Sequence, residues 1–426
     1  MRRKLYPAYK SSGVEWLGDV PEHWEVKRLK YSFYLLTTKT EKRRNPIALE
    51  NIESWTGRFI VTETEFDGEG VAFVKDDILF GKLRPYLAKV WKAERSGEAV
   101  GDFFVMRPQL IMSPDYVAYF LRSEAFIKVI DGSTFGSKMP RVGWKFMGDV
   151  GITFPPLFEQ RTIAAFLDRE MGRIDALVAK KERLIELLRE KRFALISRAV
   201  TKGLDPSVKL EPSSVKWLGD VPEHWEVKNI RRVSLRVQTG NTPPTSEERY
   251  YDDGEIPWYG PSSFDDAITL NNPVKLINAS AIHDGVARIF RSGTVMIVGI
   301  GATIGKVSSI NENASCNQQI TGVTFKKTEV DSNFITYQLK QLEITIRGIA
   351  PNATLAIFDQ NRISDLDIVL PPLSEQEAIA AFLDRETEKI DALISKVETV
   401  IAKLKEYRTA LISAAVTGKI DVREAA

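Results

Sequence analysis

The sequence predicts an α+β protein in which two mixed α/β inserts are separated by two long antiparallel coiled-coil helices, arranged as a pseudo-twofold (circular) internal repeat. Three observations carry this. The phrase WLGDVPEHWEVK occupies Trp16–Lys27 and returns unchanged at Trp217–Lys228. A second phrase reads PPLFEQRTIAAFLDREMGRIDAL from Pro155 and PPLSEQEAIAAFLDRETEKIDAL from Pro371, with 17 identities in 23 positions. Between these shared phrases lie two long segments that barely resemble each other. Repetition at this scale sets the architecture before any local reading does.

The repeat divides the chain into a frame segment 1–27, a first insert 28–158, a helix 159–200, a linker with the returning phrase 201–228, a second insert 229–374, a helix 375–416 and a tail 417–426. In the first insert, Phe59–Val61, Val71–Val74 and Phe103–Met106 are short apolar runs split by Gly, Asp and Pro, the spelling of strands and turns. Tyr116, Tyr119, Phe120 and Ile127 share a face and predict a helix over Pro114–Ile130. The second insert has a strand candidate at Thr294–Ile300 and a helical one at Asn333–Ile346.

The segments that follow each insert are rich in Ala, Leu, Glu, Lys and Arg, which favour helix, and Pro-Pro precedes each. In the second, Ile390, Leu393, Val397, Val400, Leu404, Tyr407 and Leu411 alternate steps of three and four. The first matches at Ile174, Leu177, Lys181, Leu184, Leu188, Lys191 and Leu195. This predicts a coiled-coil seam over about three heptads, with Lys181 and Lys191 snorkelling at its edge. The linker after the first helix and the tail-plus-head of the chain are spelled alike, so the two terminal segments are expected side by side.

Composition excludes several classes. The chain has 426 residues, 43% apolar, enough for real cores. A net charge of +2 leaves nucleic-acid contact to local patches. The single cysteine, Cys316, permits no internal disulfide and fits a reducing, cytoplasmic setting. No apolar stretch approaches the roughly 18 residues of a spanning helix, so no membrane partner is expected.

Catalytic constellations are missing. His23 and His224 occupy the same repeat position and read as structural, and His283 stands alone. There is no phosphate-loop motif and no metal-ligand spacing. Gly299-Ile300-Gly301-Ala302-Thr303-Ile304-Gly305 imitates a dinucleotide fingerprint, but its third glycine is one residue late. Strand-forming Lys306–Ile310 follows where a helix is required, so a tight hairpin is the better account.

The duplicated Trp-Leu-Gly-Asp-Val-Pro-Glu-His-Trp and Pro-Pro-Leu-x-Glu-Gln-x-x-Ile phrases, around two variable inserts, resemble the specificity subunit of type I restriction–modification systems. So does Thr239–Pro243 followed by Gly254–Trp258. The resemblance spans essentially the whole chain. It implies that each insert is a target-recognition domain reading one half of an asymmetric, bipartite double-stranded DNA target. It further implies that the helices form a spacer and docking surface for two modification (methyltransferase) subunits that methylate adenine. Restriction (translocase/nuclease) subunits would cleave at the expense of ATP. S-adenosylmethionine, ATP and Mg would sit on those partners, none on this chain, which would be a non-catalytic reader. Balanced charge leaves a second reading open, a two-module scaffold on a coiled-coil stalk that binds no DNA.

Base reading calls for Arg toward guanine and Asn or Gln toward adenine, and phosphate contact for cations and small hydroxyls. In the first insert the candidates are Lys82, Arg84, Lys138, Arg141 and Lys145. In the second they are Asn241, Thr242, Lys306, Asn317, Gln318, Gln319, Asn352 and Thr354. Trp16, Trp24, Trp217 and Trp225 read as anchors of the frame, and Asp168–Glu170 and Asp384–Glu386 as charged helix faces, either solvated or docking partner helices.

Overall fold

The computed structural model describes residues 4–40, 45–63, 69–136, 138–213, 215, 218–341, 343 and 358–424. The chain divides into two units, Met1–Glu182 with Val397–Ala426, and Arg183–Lys396.

The repeated phrases fold alike in each unit. In the first, Tyr9–Ser11 pairs with Asp19–Pro21 and Glu25–Arg28 pairs with Gly151–Phe154, both antiparallel. In the second, Leu210–Pro212 pairs with Asp220–Pro222 and Glu226–Asn229 with Asp367–Leu370. The phrase is thus stitched to the strand that ends just before each Pro-Pro. Trp24 and Trp225 are buried beneath these pairings, where a large ring contributes the most apolar area per residue. Trp16 packs against the same core as Trp24, and Trp217 lies outside the described residues.

The two inserts share a topology despite their unlike sequences. The first holds a four-stranded antiparallel sheet in the order Phe33–Leu36, Phe103–Pro108, Ile78–Gly81, Val90–Lys92. The second repeats that order with Ser234–Thr239, Ile320–Phe325, Val295–Val298 and Val307–Ser309. A smaller sheet accompanies each, with one parallel pair in both. The helix expected over Pro114–Ile130 is two helices, Pro114–Arg122 and Glu124–Asp131. Ser123 divides them because its extended backbone ends the first, while its hydroxyl accepts from Phe126 N and caps the second. The second insert's helix spans Ser332–Lys340. The glycine run after Val298 opens a hairpin into Val307–Ser309.

The long helices span Leu157–Lys202 and Leu373–Val416. Gly203 and Gly418, both with positive φ, let the chain leave them in the left-handed conformation that ends many helices. Within the first unit, Ile174 and Val178 share a core with Leu404, Leu411, Ile412, Ala415 and Val416. Within the second, Leu195, Ile196, Ala199 and Val200 share one with Ile379, Ala380 and Leu383. Arg408 faces Asp175 at 3.8 Å in the first unit and Arg192 faces Asp391 at 3.3 Å in the second, the same two repeat positions each time.

The buried stripe differs in phase from the predicted seam. Ile174, Ile390, Val397 and Leu411 are buried, and Leu188, Leu195 and Leu404 are half-buried. Leu177, Leu184, Leu393, Val400 and Tyr407 are exposed, Leu393 at 48%. Their C-terminal neighbours Val178, Ile185, Ile394, Ile401 and Arg408 turn inward instead. Each of these helices also carries an insert, and a face that must serve both a helix and an insert is displaced from the heptad line.

The inserts dock on the helices through polar contacts. Tyr119 donates to Asp168 and Tyr337 to Asp384, both at 2.7 Å, so neither aspartate is a purely solvated face. Arg122 and Lys340 lie half-buried near Arg408 and Arg192 respectively. Burial, assisted by those neighbouring cations, pushes the Arg122 guanidinium down to about 10 and the Lys340 ammonium down to about 8. The terminal segments meet as expected: Asp421 N donates to Lys4 O at 2.8 Å, and Lys419 Nζ donates to Leu17 O at 2.9 Å and Asp19 O at 2.6 Å.

The phase of the stripe is directly testable. Leu404→Lys is expected to cost about 2 kcal/mol in urea denaturation, because it places an ammonium against the first unit's core. Val400→Lys is expected to stay within about 0.5 kcal/mol of the wild type. The reverse ranking would restore the predicted seam.

Candidate nucleic-acid interface

In the first unit the turn joining Ile78–Gly81 to Val90–Lys92 carries Lys82 and Arg84. Backbone bonds tie it to a later loop: Val142 N donates to Lys82 O at 3.0 Å, Arg84 N to Pro140 O at 2.7 Å, and Phe135 and Arg141 exchange bonds at 3.0 Å. Lys82 N donates to Asp102 O at 2.9 Å, closing the cluster. Lys82, Arg84, Lys138 and Arg141, far apart in sequence, therefore converge, and Lys145 lies on the short helix Trp144–Asp149 that follows.

Two of these cations, both part-exposed, are paired internally. Arg141 Nη2 lies 2.9 Å from Asp102 Oδ2, and Lys82 Nζ lies 3.7 Å from Oδ1. The carboxylate holds the Arg141 guanidinium above its ordinary range through that hydrogen bond. Lys82 and Arg141 thus brace the loops. Arg84, Lys138 and Lys145 remain exposed, with no side-chain partner among the described residues. Exposed Tyr86, Phe135 and Phe146 lie on the same loops and the short helix. Cations interleaved with exposed aromatics suit a nucleic-acid backbone and its bases.

The second unit builds its equivalent cluster from different chemistry. Gly299 N donates to Gln319 O and Phe358 N donates to Gly299 O, both at 2.8 Å. Gly299, Gln319 and Phe358 thereby repeat the backbone roles of Lys82, Asp102 and Val142. A Cβ on Gly299 would lie 2.5 Å from Phe358 O, so this glycine is required for close strand-to-loop approach rather than for holding a phosphate.

A cleft of about 330 Å3 opens here, lined among others by Thr239, Gln318, Gln319, Thr321, Gln360 and Asn361. Its amides are cross-braced. Thr242 Oγ1 donates to Gln318 Oε1 at 2.6 Å, Asn317 Nδ2 to Gln319 Oε1 at 2.9 Å, and Gln360 Nε2 to Thr239 Oγ1 at 2.7 Å. Asn241 reaches Gly285 O at 3.4 Å, and its buried Oδ1 has no partner among the described residues.

Lys306 is not part of this cleft surface. Its Nζ donates to Phe264 O at 2.8 Å, a bond that ties down the loop carrying Phe264. Asn352 and Thr354 lie outside the described residues. Gln360 and Asn361 went unnoticed in the sequence. The available signal was Asp359, whose side chain caps the short helix Gln360–Ser364 and so presents both amides at its start.

The remaining candidates for chemistry are structural. His23 pairs with Glu159 at 2.8 Å and His224 with Glu375 at 2.9 Å, at the same repeat position. Burial pushes the Cys316 thiol up to about 12, away from nucleophilic use. Among the described residues no three His, Cys, Asp or Glu side chains gather as a metal site would require.

Residues 222–403 match the type I restriction modification DNA specificity domain. The type I restriction enzyme MjaVIII specificity subunit of Methanocaldococcus jannaschii is 24% identical over 433 residues, covering 95% of this chain and 94% of that one. The EcoKI specificity subunit of Escherichia coli is 20% identical over 327 residues, covering 74% and 68%. Among solved structures, a chain from the assembly of a type I R-M system shares the fold with a TM-score of 0.76 at 19% identity, over 93% of this chain and 98% of that one. The HsdS subunit from Thermoanaerobacter tengcongensis does so with a TM-score of 0.57 at 18% identity, over 94% and 98%. Taken with the duplicated frame, these matches show what the chain is similar to: specificity subunits of type I restriction–modification systems over nearly its whole length, with residues 222–403 matching their DNA specificity domain.

Proposed function

We propose that this chain reads an asymmetric, bipartite duplex DNA target, one half-site through the loop cluster of each unit. The observation that carries this is the pair of equivalent clusters. The same backbone bonds frame both, yet one presents cations and aromatics and the other presents amides. Equivalent frames with unlike contents are what two different half-sites require. The match to a DNA specificity domain favours this over a scaffold that binds no DNA.

In this reading, 28–158 and 229–374 are the target-recognition domains and the helices 159–200 and 375–416 are the spacer. Two modification subunits dock on the frame and methylate adenine, and restriction subunits add ATP-dependent cleavage. S-adenosylmethionine, ATP and Mg belong to those partners. The chain itself contributes address and orientation, not catalysis, and works in the cytoplasm. No described helix is long and apolar enough to cross a membrane.

Arg84, Lys138 and Lys145 are assigned to phosphates, and Gln318, Gln319 and Asn241 to the groove. With the cognate modification subunits present, Arg84→Ala and Lys138→Ala are each expected to reduce the slope of log affinity against log salt by about 1. Lys306→Ala, whose ammonium is committed internally, is expected to leave that slope unchanged. Fluorescence anisotropy across a salt series measures all three. Equal slopes throughout would remove the first unit's loops from the interface.

Exchanging residues 229–374 for the corresponding insert of a relative is expected to change one half of the methylated motif and preserve the other. Sequencing that detects N6-methyladenine reads the outcome. A change in both halves would contradict one half-site per unit.

A further inference from the structure

We propose that the amide cleft of the second unit reads an A·T pair through the major-groove edge of adenine, with Gln319 donating to N7 and Gln360 accepting from N6. This rests on the DNA-reading function above and adds which base pair is recognised, and by which atoms.

The argument begins with which end of each amide is committed. Gln319 N donates to Asn317 Oδ1 at 3.0 Å, which fixes the orientation of the Asn317 amide. Asn317 must then present its Nδ2, and that group donates to Gln319 Oε1 at 2.9 Å. The oxygen of Gln319 is therefore occupied, and its Nε2 is the atom left to face the cleft. It sits at the glycine loop: a Cβ built on Gly301 would lie 3.2 Å from it.

Gln360 is committed the other way. Its Nε2 donates to Thr239 Oγ1 at 2.7 Å, an arrangement in which the Thr239 proton goes to Thr321 Oγ1, 2.9 Å away. Gln360 Oε1 is left over. Neither Gln319 Nε2 nor Gln360 Oε1 has a partner among the described residues. The cleft thus offers a donor fixed by a second amide and, with the Thr239 proton directed to Thr321, an acceptor at Gln360 Oε1.

That pattern selects among the bases. Adenine presents an acceptor at N7 and a donor at N6 in the major groove, the complement of what the cleft offers. Guanine presents two acceptors, so Gln360 Oε1 would face a lone pair with no proton between them. Thymine offers an acceptor and a methyl group, and cytosine a donor alone, so each satisfies one amide and leaves the other unpaired. Among the described residues that line the cleft there is no arginine, the residue most used for guanine, and the nearby Arg288 guanidinium is engaged by Thr239 O. Buried or half-buried amides left unpaired cost more than exposed ones, which sharpens the discrimination.

The test uses the complete chain assembled with its modification subunits, and a pool of duplexes with randomised sequence. Bound duplexes are sequenced for the wild type, Gln319→Ala and Gln360→Ala. The wild type is expected to enrich a two-part motif. Both variants are expected to lose roughly 5- to 150-fold of their preference at one and the same A·T pair, with the other half of the motif unchanged. That unchanged half also shows that the variants are folded.

A second measurement needs no variant. Each adenine of the enriched motif is replaced in turn by 7-deazaadenine, which keeps N6 and lacks the N7 acceptor. One position in one half-site is expected to lose at least about 5-fold in wild-type affinity. Variants that relax a G·C pair, weaken every sequence alike, or leave the motif intact would overturn the assignment, as would a wild type indifferent to 7-deazaadenine everywhere. Failure of the wild type to enrich any motif would instead overturn the DNA-reading function on which the assignment stands.

Discussion

A buried carboxamide at the first turn of each long helix holds the rest in place. Gln160 Oε1 accepts from Ser113 N at 2.8 Å, and its Nε2 donates to Pro155 O at 2.9 Å and Ile111 O at 3.2 Å. Gln376 does the same in the second unit, accepting from Asp331 N and donating to Pro371 O and Glu329 O, all at 2.9 Å. One side chain thus joins the end of a strand, the start of a long helix and the loop that opens an insert helix. Losing such a group leaves several buried partners unpaired, each at about 1–3 kcal/mol. In each unit the strand end, the helix start and the insert helix are thereby fixed to one another.

The joint also accounts for what the inserts are free to change. In the first unit the carbonyl of Val416 accepts from Thr153 Oγ1 at 2.7 Å and from Tyr116 Oη at 3.0 Å. In the second, Gln338 Nε2 donates to Val200 O at 3.2 Å. Two hydroxyls and one amide perform the same task, satisfying a helix-end carbonyl that has no partner within its own helix. Only the hydrogen-bonding role is constrained, not the residue. The frame can therefore stay nearly constant while the insert sequences diverge beyond recognition.

This division explains which features were legible in the sequence. The duplicated frame, the long helices and the terminal contact follow from spelling alone, because the frame is where side-chain identity matters most. The helix seam was legible in period but not in phase. Leu177–Val178, Leu184–Ile185, Leu393–Ile394 and Val400–Ile401 are adjacent apolar pairs, so two heptad lines fit equally well. What decides between them is the insert each helix carries, a long-range fact. The same holds for the candidate site. Nothing near Lys82 or Arg141 in sequence announces Asp102, and nothing near Gln319 announces Gln360. Partners brought together by strand order are invisible to local pattern.

The electrostatics follow from the same arrangement. At a net charge of +2 phosphate neutralisation rests on local cations, and Asp102 offsets two of those nearest the first unit's loops. The second cluster is built mainly on amides, and in the proposed function these would discriminate through their dipoles with little dependence on salt. On the proposed function, such a reader would separate right from wrong sequences more than it would add affinity to either. In a complex whose other subunits supply grip and chemistry this is the favourable division. A strongly cationic reader would add the same sequence-independent affinity to every site, and the ratio between correct and incorrect sites would have to be established against that background.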